Sequence, residues 1–597
     1  MRRRAATLLW RVLLAAALVC GIGLLPWLSR TDPALTVLKA RSAEREPTPR
    51  VLADIRAQLD LEEGPLRLLG QWLGGLPRGD AGRSWLTGTQ VTPTVVQALG
   101  VSLLLVTVAF VVAAATAALV CARTLWLGAH RRLDGRRAGG GASAMIAALP
   151  EFLTASVLAT VVGVQLGWLP ALGWYGPQWT VLPALALGLP AGAVLGRLLD
   201  DLLPGAFAEP WVLAAEARGL PGRTLAAKAV RRCVPALLPN LGLFVVGLTG
   251  GSVAVEQIYD IPGLGRTSLQ AALAQDLPVL QAGTLALLLL AAAVTGLAAL
   301  AVRRLTGPAL RDGALDSLHR PRRPTRSALP LVHGGLLTAV IALGLLRDPL
   351  ALDTGARLQP PSRSHPFGTD VLGRDLHARV GHGAFDTLLT AFAISATALV
   401  VGVLLGLLPR LSGPLVDTVN AVPPVLAALL VTAVAGSGAA TPAIAVTTVS
   451  WAALAAHTSS LLRQEHATSH LTATRALGAN RWYLLRHELL PAILPSVTKH
   501  ALLRLPGAAL ALASLGFLGL GAQPPAPEWG LLLAENQPYA ERAPWAVLAP
   551  AAALALLGAL AVSTAGGMRW QPRRRVRPRT TTRTEHPLPA EELAEAG

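Results

Sequence analysis

Few side chains in this sequence are placed to do covalent chemistry. There are three lysines, Lys39, Lys228 and Lys499, and none is followed by Ser or Thr. The loop G-x-x-x-x-G-K-[ST], whose backbone N–H groups and lysine cradle nucleotide phosphates, is therefore absent. Cys20, Cys121 and Cys233 lie in or beside apolar runs. That suits small packed residues rather than a disulfide framework or a thiolate metal site. His365, His377 and His382 share one segment but lack a spacing that would bring two imidazoles onto one metal. Glu151 follows Pro150 within an apolar run. An acid there is either a functional group inside a membrane or an edge residue in contact with water. We expect no catalytic residue, no metal and no bound cofactor.

Two basic stretches have a different use. One runs from Ala215 to Pro239, the other from Thr474 to Pro495. Each begins with small residues and an arginine, reaches a glycine, continues basic, and re-enters apolar sequence through Pro-Ala-x-Leu-Pro. Small side chains allow a partner's groove to approach closely, and glycine permits the left-handed turn that ends a helix. The residues so placed are Ala215, Ala217, Arg218, Gly219 and Arg223, and then Ala473, Arg475, Ala476, Gly478 and Arg486. An ordinary basic connector explains the arginines, but not the small-residue and glycine pattern occurring twice.

The elements that must position these stretches are membrane spans. Of 597 residues, 52% are hydrophobic and 14% charged, with a mean hydropathy of +0.50. Apolar runs of about 20 residues recur, the length that crosses a bilayer as a helix. Twelve are expected, near 8–28, 95–121, 142–164, 180–199, 236–256, 279–302, 328–346, 386–408, 415–435, 442–462, 497–520 and 544–566. The first looks like an uncleaved span rather than a signal peptide. The net charge of +18 collects in clusters between the runs. With the N-terminus inside, those at 130–137, 218–232, 303–326, 475–486 and after 569 all fall inside. That pattern favours cytoplasmic membrane flanks over nucleic-acid binding.

The chain is also an internal duplication. Pro235-Ala236-Leu237-Leu238-Pro239 matches Pro491-Ala492-Ile493-Leu494-Pro495 at an offset of 256, and the same offset carries Gly263-Leu264-Gly265 onto Gly519-Leu520-Gly521. Gly219 and Gly478 differ by 259, so the second basic stretch is three residues shorter. It also carries Glu256 onto Leu512. Lys499 and Arg504 fall in or near the eleventh run, where charge is expensive unless it faces a cavity.

The two basic stretches resemble the EAA loops of ABC importer permeases of the dipeptide/oligopeptide/nickel branch. The first half is similar to the B-type subunit in Trp72 to Leu76, in Arg78-Gly79-Asp80-Ala81-Gly82-Arg83-Ser84, in Glu209-Pro210-Trp211-Val212 leading to Gly219, and in Val255-Glu256 to Arg266. The second resembles the C-type subunit in His365-Pro366-Phe367-Gly368-Thr369-Asp370, Leu372-Gly373-Arg374-Asp375, Ala473 to Ala479, Phe517 to Pro525, and Glu528-Trp529-Gly530. It departs from the pattern in lacking the first EAA glutamate in both halves, with Ala214 and Thr472 nearby. The resemblance reaches to about residue 570 and implies a natural fusion of the two subunits.

It implies an all-α integral membrane protein with about 12 transmembrane helices in two pseudo-symmetric six-helix halves. The B-type half is 1–306, with its EAA-like loop at 209–239. A linker, 307–327, leads to the C-type half, 328–568, with its loop at 464–495, and the tail is 569–597. It further implies import of peptides or related solutes, or of nickel, through the bacterial plasma membrane, with both termini cytoplasmic. ATP and Mg would act through two separate cytoplasmic ABC ATPase subunits or domains, and an extracytoplasmic binding protein would deliver solute. Glu151, Glu256, Gly263, Gly265, Gly519 and Gly521 become candidates for the gate or path. Asp80, Gly82, Arg83, Asp370, Gly373 and Arg374 become the extracytoplasmic motif. A competing likeness, of Leu133-Asp134-Gly135-Arg136-Arg137 to a loop of the major facilitators, implies an ion-gradient transporter, also of twelve spans in two halves. That class has no use for two docking loops.

Overall fold

The computed structural model describes residues 2–29, 34–35, 37–38, 46–58, 64–133, 141–147, 149–305, 328–420 and 422–567. The expected linker at 307–327, the tail at 569–597 and residues 134–137 of the facilitator-like stretch lie outside them. The described residues are helical or irregular, with two isolated antiparallel bridges, Arg83 to Gln90 and Thr369 to Asp375.

A helix stands at each of the twelve expected places. In the first half these are α1 (Arg2–Gly23), α2 (Val91–Ala129), α3 (Glu151–Leu158, continued as a π-helix over Ala159–Gln165), α4 (Gln178–Phe207), α6 (Gly222–Ile258) and α8 (Leu277–Leu305). The short helices α5 (Pro210–Ala217) and α7 (Leu264–Leu273) flank α6. In the second half they are α9 (Leu329–Leu345), α10 (Leu376–Gly406), the bent pair α11 (Pro409–Asn420) and α12 (Pro424–Ala435), α13 (Thr441–His466), α15 (Leu490–Phe517) and α17 (Pro544–Gly567). Short α14 (Ser469–Ala476) and α16 (Trp529–Asn536) flank α15. Among the described residues, six helices are long and apolar enough to cross a bilayer, or seven if the bent pair counts as one. Shorter apolar helices occupy the places of the first, third and seventh spans.

Two expected spans are not continuous. The third, expected over 142–164, breaks at Pro150, which caps α3 in an extended conformation (φ −66°, ψ 152°). The ninth breaks at Pro423 in the same conformation (φ −63°, ψ 145°), with a bend of 95°. Proline lacks the N–H that would continue a helix and biases the residue before it away from helical geometry. The basic stretches also differ from expectation, since beyond their glycines they are helix. Gly222–Ile258 runs unbroken, and Arg481–Phe517 is one long span with a π-helical segment at Leu484–Leu489. Ala, Leu, Arg and Lys after each glycine are strong helix formers.

Small residues bring the inner helices together. A Cβ on Gly188 of α4 would lie 2.6 Å from Val112 of α2, and one on Gly196 would lie 2.8 Å from Val120. Gly402 of α10 meets Leu454 of α13 in the same way, at 2.7 Å. Such small-residue stripes let backbones approach where the hydrophobic effect between helices is weak. Cys121 and Cys233 are buried free thiols, and Cys20 is partly buried. The halves meet at Phe152 and Phe517, whose ring centroids are 6.0 Å apart. Gln165 donates to the Ala540 carbonyl at 2.8 Å across the same junction.

Candidate functional site

The two basic stretches have one local geometry. Each begins with an eight-residue helix, α5 or α14, that ends at a left-handed glycine. Gly219 has φ +72° and Gly478 φ +93°, and an added Cβ at either would meet open space. The Gly219 N–H donates to Glu216 O and Leu220 N–H to Ala215 O, which satisfies the carbonyls left over at the helix end. The long helix begins three residues after each glycine. Ala217, Arg218, Gly219, Arg223, Ala473, Arg475, Ala476, Gly478 and Arg486 are all exposed, whereas Ala215 is buried and packs inward. Leu477 (88% exposed), Trp482 and Tyr483 add apolar surface to the second stretch. Ion pairs hold the first in place, from Arg232 to Glu209 and from Arg131 to Glu216, both at 2.8 Å.

The Gly-Leu-Gly segments match in sequence but not in form. In the first half, Gly263 caps α7 directly, and Glu256 reaches from the end of α6 into that cap. Glu256 is 0% exposed, accepts from Ser102 Oγ at 2.7 Å and from Arg266 N–H at 2.9 Å, while Ser102 Oγ accepts from Leu264 N–H at 2.8 Å. Glycine is needed at 263, where a Cβ would collide with the Glu256 carboxylate, and at 265, where it would crowd Val253 at 2.7 Å. In the second half Gly519 turns left-handed (φ +76°), and α16 begins only at Trp529. There the capping acid is Glu528, which accepts from Gly530 and Leu531 N–H, both at 2.9 Å. Burial pushes its carboxyl up to about 7. The acid missing at Leu512 thus has a substitute that caps the equivalent short helix from its own N-terminus.

The sequence motifs at the opposite end of each half are folded turns tied to acids near the ends of those short helices. Asp80 accepts from Gly82 N–H at 2.9 Å, Gly82 is left-handed (φ +94°), and Arg83 bridges to Gln90. Ser84 Oγ and Trp85 N–H then donate to Asp276, which follows α7. In the second half, Asp370 accepts from Leu372 and Arg374 N–H, and Gly373 (φ +79°) leaves room for the Asp353 carbonyl. Asp370 pairs with Arg374 at 2.7 Å and with Arg379 at 2.9 Å, and Arg379 pairs with Glu535 of α16 at 2.8 Å. The two positive and two negative charges balance; Asp370, Arg374 and Arg379 are buried and Glu535 is 18% exposed. Arg379, Glu535, Asp276 and Ser102 were not singled out in the sequence. No local pattern marks them: Arg379 lies among Arg374, Asp375, His377 and His382, Glu535 beside Asn536, and Asp276 beside Gln275.

Between the halves lies a cavity of about 590 Å³, lined by both broken helices. Pro150, Glu151, Gly251, Pro423, Pro424, Gly507, Ala511 and Ser514 contribute to it. A second hollow, about 450 Å³, shares Ala147, Pro424, Gly507, Leu510 and Ala511 with the first and carries Arg504 on its wall. Glu151 therefore lines the cavity at the junction and Arg504 an adjoining hollow formed mostly by the second half, whereas Glu256 is sealed in the α6–α7 turn. His365 lies 3.6 Å from Asp375, and His377 and His382 contact backbone carbonyls of Val340 and Ala378. Among the described residues, no three His, Cys, Asp or Glu side chains gather as a metal site.

Two like helical halves around a shared cavity, each with an exposed helix ending on a left-handed glycine, define a transport permease. The chain belongs to the family of binding-protein-dependent transport system inner membrane components, whose model matches it twice, over residues 89–311 and 394–566. It is an ABC transporter permease, not an enzyme, with two permease units in one chain. A probable D,D-dipeptide transport system permease protein of Escherichia coli is 34% identical over 32% of this chain and 67% of its own length. A di/tripeptide transport system permease protein of Pseudomonas aeruginosa is 39% identical over 29% of this chain and 60% of its own length. A metal-staphylopine import system permease protein of Staphylococcus aureus is 28% identical over 49% of this chain and 92% of its own length. The major facilitator reading is set aside by the double family match.

Proposed function

We propose that the chain is the transmembrane permease subunit of an importer for peptides or related small solutes, driven by ATP hydrolysed on two separate cytoplasmic ABC ATPase subunits or domains. The observation that carries this reading is the matched pair of exposed helices, α5 and α14, each with a left-handed glycine at its end and a long span behind it. A partner that draws the two helices together moves the spans they begin, α6 and Arg481–Phe517, and so shifts the access of the cavity between the halves. On this reading both helices, and both termini, lie in the cytoplasm of a bacterial cell. The turns at Asp80 and Asp370 then face outward, where a binding protein delivers solute. Nucleotide and Mg stay with the partners. Two relatives named for peptides favour peptide cargo, and one relative is named for metal-staphylopine import.

The test is co-purification of the ATPase together with uptake. Gly219→Arg and Gly478→Arg should each abolish peptide uptake and release the ATPase, with the folded permease still in the membrane, because both positions open onto free space. Uptake driven by an ion gradient without ATP would overturn the reading.

A further inference from the structure

One side of α2 is turned away from the bundle. Leu104, Val111, Leu119 and Trp126 are all exposed, and intervals of seven and eight residues place them on one side of the helix. Trp126 closes that stripe, and basic side chains gather around it. The Arg132 guanidinium lies over the indole, 5.9 Å from the ring centroid, as a cation over an aromatic face does. His130 packs against the same indole, with ring centroids 4.8 Å apart, and its Nδ1 lies 2.7 Å from the Trp126 carbonyl. Arg123 stands exposed one turn earlier on the helix. Among the described residues neither Arg123 nor Arg132 makes an ion pair, whereas Arg131 is committed to Glu216 of α5 at 2.8 Å. In the second half, α10 holds the matching place, and no basic or aromatic residue lies between Phe392 and Arg410. The positive-inside bias acts on both halves alike, so it does not account for a cluster at one of them.

Depth decides what such a cluster meets. Leu119 and Val111 lie about 10 and 22 Å back from Trp126 along the helix axis, and one leaflet of hydrocarbon is about 15 Å deep. The stripe therefore runs where lipid tails lie, out of reach of a soluble partner. Trp126 sits at the level where indoles gather, between hydrocarbon and water. A ligand that meets all of this has an apolar tail for the stripe and an anionic head for two guanidiniums, whose planar donors suit a phosphate. A zwitterionic lipid brings an ammonium beside its phosphate and gains less.

We infer that the end of α2 is a binding site for one anionic phospholipid, with its phosphate between Arg123 and Arg132, its glycerol region against Trp126 and an acyl chain along Leu119 and Val111. The site stands beside the Arg131–Glu216 pair that holds α5. It goes beyond the import reading and does not rest on it.

Native mass spectrometry of the purified full chain tests it, with phosphatidylglycerol and phosphatidylcholine of the same acyl chains in competition. One phosphatidylglycerol should be retained per chain. Each arginine near an anionic head is worth roughly fivefold in affinity, so two give a preference of about 25-fold over phosphatidylcholine. Arg123→Gln and Arg132→Gln should each lose about fivefold of it; they are independent tests should one variant not fold. Arg132→Lys keeps the charge and should keep most of the preference. Arg463→Gln removes an exposed charge from the last turn of α13 and should leave the preference unchanged. An excess of inorganic phosphate, which has no tail for the stripe, should not displace the lipid. Equal retention of the two lipids, a loss on Arg463→Gln as large as that on Arg132→Gln, or displacement by phosphate would overturn the site.

Discussion

Arg379 offers the sharpest test of how the far end of the second half is held together. It is 0% exposed and gives one guanidinium nitrogen to Asp370 at 2.9 Å and another to Glu535 at 2.8 Å. Arg374 supplies the second positive charge, at 2.7 Å from Asp370 and 3.5 Å from Glu535. The network is two positive against two negative. Arg379→Met removes one positive charge and leaves Asp370 and Glu535 facing one guanidinium. Breaking a buried pair in this way costs about 3–5 kcal/mol. Glu535→Gln alone leaves an excess positive charge, and its cost should be smaller because Glu535 is 18% exposed and water reaches it. The double variant restores balance, so its cost should fall short of the sum of the singles by about 1–3 kcal/mol. Unfolding of the purified protein in detergent, titrated with denaturant, measures all three. The coupling should persist at high salt, because screening acts weakly on buried pairs. Strictly additive costs would show that the charges do not act as one network, and the argument from balance would fail.

Other outcomes follow from the turns and caps. Gly263→Ala should destabilise by about 1–3 kcal/mol through collision with the Glu256 carboxylate. Gly478→Ala, with open space around it, should lose only the roughly 1–2 kcal/mol of left-handed strain; denaturation midpoints compare the two. Ser102→Ala strips Glu256 of a donor and Leu264 N–H of an acceptor, and should cost about 1–3 kcal/mol in the same assay. Glu528 holds its proton more tightly when folded than when unfolded, since burial pushes it up to about 7. Its contribution to stability therefore falls as pH rises from about 4.3 to about 7, then stays level. Melting temperatures of wild type and Glu528→Gln, compared across that range, should diverge with this slope; parallel curves would count against it.

Much of the fold was legible because hydropathy and duplication are strong signals. Runs of apolar residues gave the spans, and the 256-residue offset paired the halves. The breaks at Pro150 and Pro423 were harder to read, because membrane helices tolerate proline: Pro183, Pro190 and Pro204 all lie within the unbroken α4. Only the path of the chain between neighbouring helices decides which proline bends. The glycines of the two basic stretches were readable from turn chemistry, and the inward packing of Ala215 was not, since Ala serves both packing and close approach. The family resemblance alone made Glu256 a candidate for the gate or path. Its role in the α6–α7 turn depends on Ser102, 154 residues away. Arg379 and Glu535 are likewise 156 residues apart, beyond the reach of any local pattern.

The glycine contacts between α2 and α4, and between α10 and α13, bear on how such a machine can move. Side chains that interlock must change rotamer when helices slide, and each change loosens the packing for a time. Backbones that touch through glycine have almost no rotamers to rearrange, so each inner pair can travel as a stiff plank. Flexing is then left to the seam between the halves, where proline interrupts two helices and the hollows lie. In the import cycle proposed above, the pathway opens and closes along a crease already cut into the molecule, with its planks intact.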